Sequence, residues 1–161
     1  MQRVGEADTH DYEALFRDAR PALWRTLYGF TGGRSDIADD AVAEAFARAL
    51  GHTDSIRDPV PWIYRTAFRI AAAELRRDSR TSIEVDAAQQ HDPAELEELM
   101  RALRELSPNQ RAAVILHYQA DLPTDEVARR MGMAPATVRV HLHRGRRRLR
   151  QLLGAEEVEG D

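Results

Sequence analysis

Residues 122–150 read LPTDEVARRMGMAPATVRVHLHRGRRRLR, and this stretch restricts the fold more than any other part of the chain. Two helical segments meet at Gly132-Met133-Ala134 with no residues to spare. Thr124 stands as N-cap of the first, Asp125 and Glu126 fall in its first turn, and Gly132 stops it. Pro135 falls at the first position of the second helix, where its missing N–H breaks no hydrogen bond. Val138, Leu142, Gly145, Leu149 and Leu152 then repeat at the spacing of a core-facing edge. Turning that edge inward leaves Arg139, His143, Arg146 and Arg150 on other faces. Residues 135–153 contain no acid, but they include Arg139, Arg144, Arg146, Arg147, Arg148 and Arg150. A helix-turn-helix lays its second helix in the major groove of DNA, and neutralised phosphates supply most of the affinity.

A formal charge of −4 looks wrong for such a partner until it is divided along the chain. Residues 1–78 carry −2, 79–94 carry −2, 95–153 carry +4 and 154–161 carry −4. Positive charge is thus gathered on one element, which matters more for nucleic-acid binding than the overall balance. All 23 basic residues are arginine, as a biased genome would give. With no cysteine, disulfides, thiolate metal sites and cysteine nucleophiles are excluded. No apolar leader and no membrane-spanning run appears, so the expected location is cytoplasmic, without membrane insertion.

Apolar spacing is helical throughout, giving an all-α class with two small domains. A first helix starts near Asp11, is kinked or divided at Pro21, and ends at Gly32-Gly33. A second opens near Asp36, with Asp39 and Asp40 in its first turn and Ile37, Ala41, Phe46 and Ala49 on its inner side. After a loop at 51–58, Pro59 and Pro61 introduce a third helix through Arg77. Residues 78–93 are polar and aperiodic and read as a flexible linker. About 15 extended residues span roughly 50 Å, so the flanking domains need not touch. The next helix bears the stripe Leu96, Leu99, Met100, Leu103 and Leu106. Ser107-Pro108-Asn109-Gln110 then forms a capping box. Val114, Ile115 and Tyr118 make the buried side of the helix it opens. The expected organisation is an N-terminal domain at 11–78, a linker at 79–94, a helix-turn-helix domain at 95–153 and an acidic tail at 154–161.

These residues resemble the bacterial RNA polymerase sigma factors of the sigma-70 family, extracytoplasmic-function (ECF) group, over about residues 11–153. The likeness is strongest over 103–150, LRELSPNQRAAVILHYQADLPTDEVARRMGMAPATVRVHLHRGRRRLR, which follows region 4, the promoter −35 domain. SDIADDAVAEAFARAL is similar to the polymerase-binding part of region 2. WIYRTAFRIAAAELRR is similar to the helix that opens and reads the −10 element. The chain departs from the family pattern at Ala43, Leu50, Arg69 and Ala73, where Gln, a bulky aromatic, Asn and Asp are usual.

The resemblance implies a promoter-directing factor that works through the following residues. Arg139, Val140 and His143 would meet −35 base edges, and Arg144 a phosphate. Chemistry agrees in part, since arginine pairs bidentately with guanine and valine offers only an apolar contact. Thr137, Arg146 and Arg147 complete the −35 set. Arg65, Arg69, Arg76 and Arg77 are the expected −10 backbone contacts. Trp62, Tyr64 and Phe68 are candidates to stack on unpaired bases, although helix aromatics are more often core and Trp62 reads as such. Loop 52–57 is where the family captures a flipped base. Asp36, Asp39, Asp40, Glu44, Phe46 and Arg48 are the polymerase-docking set. Part or all of that acidic face equally suits helix-dipole compensation, and without matched histidines it is a weak metal signal.

The expected partners are core RNA polymerase, through its β′ clamp and β flap, together with promoter DNA and an anti-sigma factor. No cofactor, metal or catalytic residue is implied. His141 and His143 face different directions on one helix, and no phosphate loop or nucleophile motif occurs. Two other readings stay open. One is a stand-alone helix-turn-helix repressor or activator with an N-terminal sensing or dimerisation domain. The other is a sigma relative that occupies polymerase without opening promoters.

Overall fold

The computed structural model describes residues 6–78 and 93–154. The expected linker and acidic tail lie almost wholly outside the described residues. No strand occurs among the described residues, and the helices are α1 (Glu6–Phe30), α2 (Ser35–Leu50), α3 (Pro59–Asp78), α4 (Pro93–Arg104), α5 (Pro108–Val114), α6 (Thr124–Met131) and α7 (Pro135–Leu153).

Helix α1 begins earlier than its sequence suggests and runs through Pro21 without ending. A proline removes one helical hydrogen bond. Downstream of it, Leu23, Leu27 and Phe30 are all buried, and this packing outweighs the loss. Helix α2 presents Ile37, Ala41, Phe46 and Ala49 inward as expected, together with Ala38, Val42 and Ala45. Its alanines let α1 and α3 approach closely. Only Asp36 lies in its first turn, so the dipole argument does not extend to Asp39 and Asp40. Helix α3 buries Ile63, Tyr64, Ala67 and Ala71 against α2.

The C-terminal unit is assembled around α7, which packs on α4, α5 and α6. Ser107 caps α5 through a reciprocal box with Gln110, and Pro108 follows it. Three expectations fail here. Leu99 is 40% exposed and Tyr118 is 54% exposed. Tyr118 misses the core because α5 continues as a π-helical turn over Ile115–Gln119, closed by Ala120 N–H donating to the Ile115 carbonyl at 3.2 Å. The wider turn shifts the helical phase and swings Tyr118 outward. Thr124 is not a cap either: Pro123 occupies that place, with no side-chain cap bond, and α6 starts at Thr124.

The two units touch. Helix α3 packs on α6, the π-helical turn packs on α1, and the buried apolar residues of both units form one continuous cluster.

Candidate nucleic-acid interface

The turn before α7 is set by Gly132, whose left-handed backbone (φ 68°) ends α6. Pro135 then opens α7. Val138, Leu142 and Gly145 are buried, while Leu149 and Leu152 are partly so. Gly145 lets α7 lie against α5: a Cβ there would stand 2.8 Å from Val114 Cγ2. With this edge anchored, Thr137, Arg139, Val140, His143, Arg144 and Arg147 are all exposed on the remaining surface. Val140 is 46% exposed although nothing in the fold requires an apolar residue there. Arg146 is half-buried, and its Nη1 donates to Tyr118 Oη at 2.9 Å. This tether was not visible in the sequence, because only the π-helical turn brings Tyr118 beside α7.

Arginines Arg65, Arg69 and Arg76 of α3 stand on the side of the helix that faces the C-terminal unit, whereas Arg77 is exposed outside that group. Arg65 crosses the helix-turn-helix turn so closely that a Cβ at Gly132 would lie 2.6 Å from its Cδ. Trp62 is half-buried, 6.3 Å from the His52 ring. Tyr64 is not a stacking surface: it is 1% exposed, burial pushes its phenol pKa up, and Arg130 covers its ring at 4.4 Å. Phe68 meets Phe30 edge-on at 4.8 Å. Of the expected −10 residues, Arg65, Arg69 and Arg76 thus face the C-terminal unit, and Arg77 does not share that cavity.

Several interactions join the two units. Arg111 of α5 donates through Nη1 to the Phe30 carbonyl at 3.1 Å, and Gln119 Nε2 donates to the Arg25 carbonyl at 3.3 Å. Arg104 Nη2 reaches the Gly32 carbonyl at 3.4 Å. Arg129 of α6 pairs with Asp58, just beyond loop 52–57.

The acidic side of α2 is exposed at Asp36, Asp39, Asp40 and Glu44, with Arg48 beside them. Asp39 accepts from Trp24 Nε1 at 2.7 Å, and Glu44 pairs with Arg48 at 2.8 Å. The Arg34 guanidinium, 2.7 Å from both Asp36 and Asp78, holds the Asp36 carboxyl below its ordinary pKa. Phe46 does not belong to this face. It is 7% exposed and packs on Phe16 at 4.3 Å, because its position in the helix points it at α1. Leu50, at the end of α2, is instead 50% exposed. No group of three potential metal ligands occurs among the described residues. No helix among them is long and apolar enough to cross a membrane.

Two family models match, one described as Sigma-70 region 2 over residues 15–81 and one as Sigma-70, region 4 over residues 96–149. The RNA polymerase sigma-E factor of Streptomyces coelicolor is 31% identical, over 92% of this chain and 89% of the relative. The ECF RNA polymerase sigma factor SigM of Mycobacterium tuberculosis is 30% identical, over 91% and 79%. Among solved structures, the sigma factor RpoE of Bartonella quintana, crystallised with the anti-sigma factor NepR, superposes with a TM-score of 0.73. It is 23% identical, over 91% of this chain and 99% of that one, and it shares the fold.

Proposed function

Since the chain belongs to the sigma-70 family, in its extracytoplasmic-function group, we propose that α7 reads the −35 element and α3 the −10 element of its promoters. The protein is a sigma factor that directs promoter-specific transcription by RNA polymerase. The observation that carries the residue-level reading is the acid-free, exposed surface of α7 that remains once Val138, Leu142 and Gly145 are buried. Arg139 and His143 offer donors to base edges there and Val140 an apolar contact, while Thr137, Arg144, Arg146 and Arg147 hold the backbone.

In this reading, residues 11–78 dock on polymerase through Asp36, Asp39, Asp40, Glu44 and Arg48, with exposed Leu50 in place of Phe46. Residues 95–153 carry −35 recognition, 79–94 link the two units and 154–161 form a tail. The −10 set is Trp62, Arg65, Arg69, Arg76 and Arg77. DNA along α3 requires the C-terminal unit to lift from Arg65, and the length of segment 79–94 is ample for that. The protein works in the cytoplasm, contributes no catalysis of its own and is held by an anti-sigma factor. Support for that partner comes from the solved relatives, one in complex with NepR and another, CnrH, with the cytosolic domain of CnrY. A stand-alone repressor is disfavoured by the region 2 match over 15–81.

Permanganate footprinting tests the −10 assignment. Thymines upstream of the start should become reactive only when chain, core polymerase and promoter are combined, and Arg69→Ala with Arg77→Ala should weaken the signal. Full reactivity in that double variant removes α3 from the −10 role.

A further inference from the structure

The C-terminal unit does not lie flush on α3. Between them is a cavity of about 480 Å³, within the range of small-molecule sites. Arg65, Arg69 and Arg76 line it from α3 and Arg130 from α6, with Phe68 on its apolar side and no carboxylate among the described residues of its wall. Arg69 and Arg76 are exposed, so the cavity opens to solvent at their end. Arg130 is committed to Glu126 at 3.0 Å and to the Tyr64 ring. Arg65 and Arg69 have no hydrogen-bond or ion-pair partner among the described residues. Arg65 and Arg69 thus stand as neighbouring like charges of α3 beside a shared space, an arrangement that an anion entering the cavity relieves.

We propose that this cavity binds linked phosphates, either an inorganic oligophosphate or the phosphate tail of a nucleotide, and that such a ligand holds the two units together. Arginine suits the task, because its planar fork bonds two phosphate oxygens at once and stays charged. A chain of phosphates offers oxygens to the α3 arginines and to the facing wall of Ser107, Asn109 and Arg130 at once. Since the same α3 arginines are assigned to −10 phosphates, ligand and promoter compete for them. That consequence rests on the sigma reading, whereas binding itself does not.

Calorimetric titration of the full chain with sodium triphosphate at fixed ionic strength tests the site. One saturable site is expected, weakened by about tenfold or more in Arg69→Ala, the loss of one charge-assisted contact. Arg148→Ala, on the exposed side of α7, should leave it unchanged. The chain lacks cysteine, so spin labels at Ala47→Cys and Gln151→Cys report the spacing of the units, and triphosphate should narrow it. ATP binding as well as triphosphate, or better, supports recognition of the phosphate chain. Binding that does not saturate, or equal loss in Arg69→Ala and Arg148→Ala, overturns the proposal. Promoter opening by chain and core polymerase, read with permanganate in the absence of nucleotides, stays normal in that event, which separates failure of the site from failure of the sigma reading.

Discussion

The guanidinium of Arg111 lies 5.3 Å from the centroid of the Phe30 ring and donates to that same residue's carbonyl at 3.1 Å. Its other nitrogens donate to the carbonyls of Leu103, Arg104 and Leu106 at 2.7–3.1 Å. One side chain therefore closes the end of α4 and fastens the C-terminal unit to α1. Burial, with the charge of Arg104 second, lowers its pKa from the ordinary guanidinium value. Arg111→Ala strands these acceptors and should destabilise the chain by about 2–4 kcal/mol in urea unfolding. Arg111→Lys should recover little, since a point ammonium cannot match a planar fork. Full stability in the lysine variant would show that charge alone suffices.

Gly145→Ala sets two effects against each other. Alanine favours a helix interior by about 1 kcal/mol over glycine. Here the added methyl meets Val114 Cγ2 at 2.8 Å, and overpacking of this kind costs about 1–3 kcal/mol. Net destabilisation is expected, relieved when Val114→Ala is combined with it. A double-mutant cycle measures the relief, and strict additivity of the two changes would place the cost elsewhere.

These two residues also mark what the sequence reveals and what it hides. Gly145 falls in the core-facing stripe of α7, and the stripe, the Ser107–Gln110 box, Pro135 and Gly132 are all local signals that a linear reading captures. Phe46 and Tyr118 show two separate limits. Helical phase places Phe46 inward, where it is, while the family likeness draws it into the docking face. Phase alone places Tyr118 in the core, and a π-helical turn resets it. The contact of Arg111 with Phe30 joins residues 81 apart. No periodicity encodes such a pairing, so the packing of the two units and the cavity between them stayed invisible.

Acid should act through Asp36. The hydrogen bond from Arg34 keeps its folded pKa below the unfolded value of about 3.9. A depressed carboxyl stabilises the fold above that pH, and the contribution is lost as pH falls through the folded pKa. The pair is solvent-exposed on the Asp36 side (63%), so the effect stays below about 1 kcal/mol. In Arg34→Ala, the Asp36 titration followed by NMR should move up to the ordinary value. An unchanged midpoint contradicts the assignment.

On −35 DNA, Arg139→Ala should relax preference at one base pair by about 1–3 kcal/mol, whereas Arg147→Ala should weaken all sequences alike and reduce the salt slope. Binding to a randomised −35 library at several salt concentrations separates the two. Equal, sequence-independent losses in both would remove Arg139 from base reading.

The most direct test adds the purified chain to sigma-free core polymerase and maps transcription starts across a genome. The account predicts starts downstream of one shared pair of −35 and −10 elements, with the preferred −35 sequence loosened by Arg139→Ala. DNA binding by the chain with no new starts when core polymerase is present would contradict it.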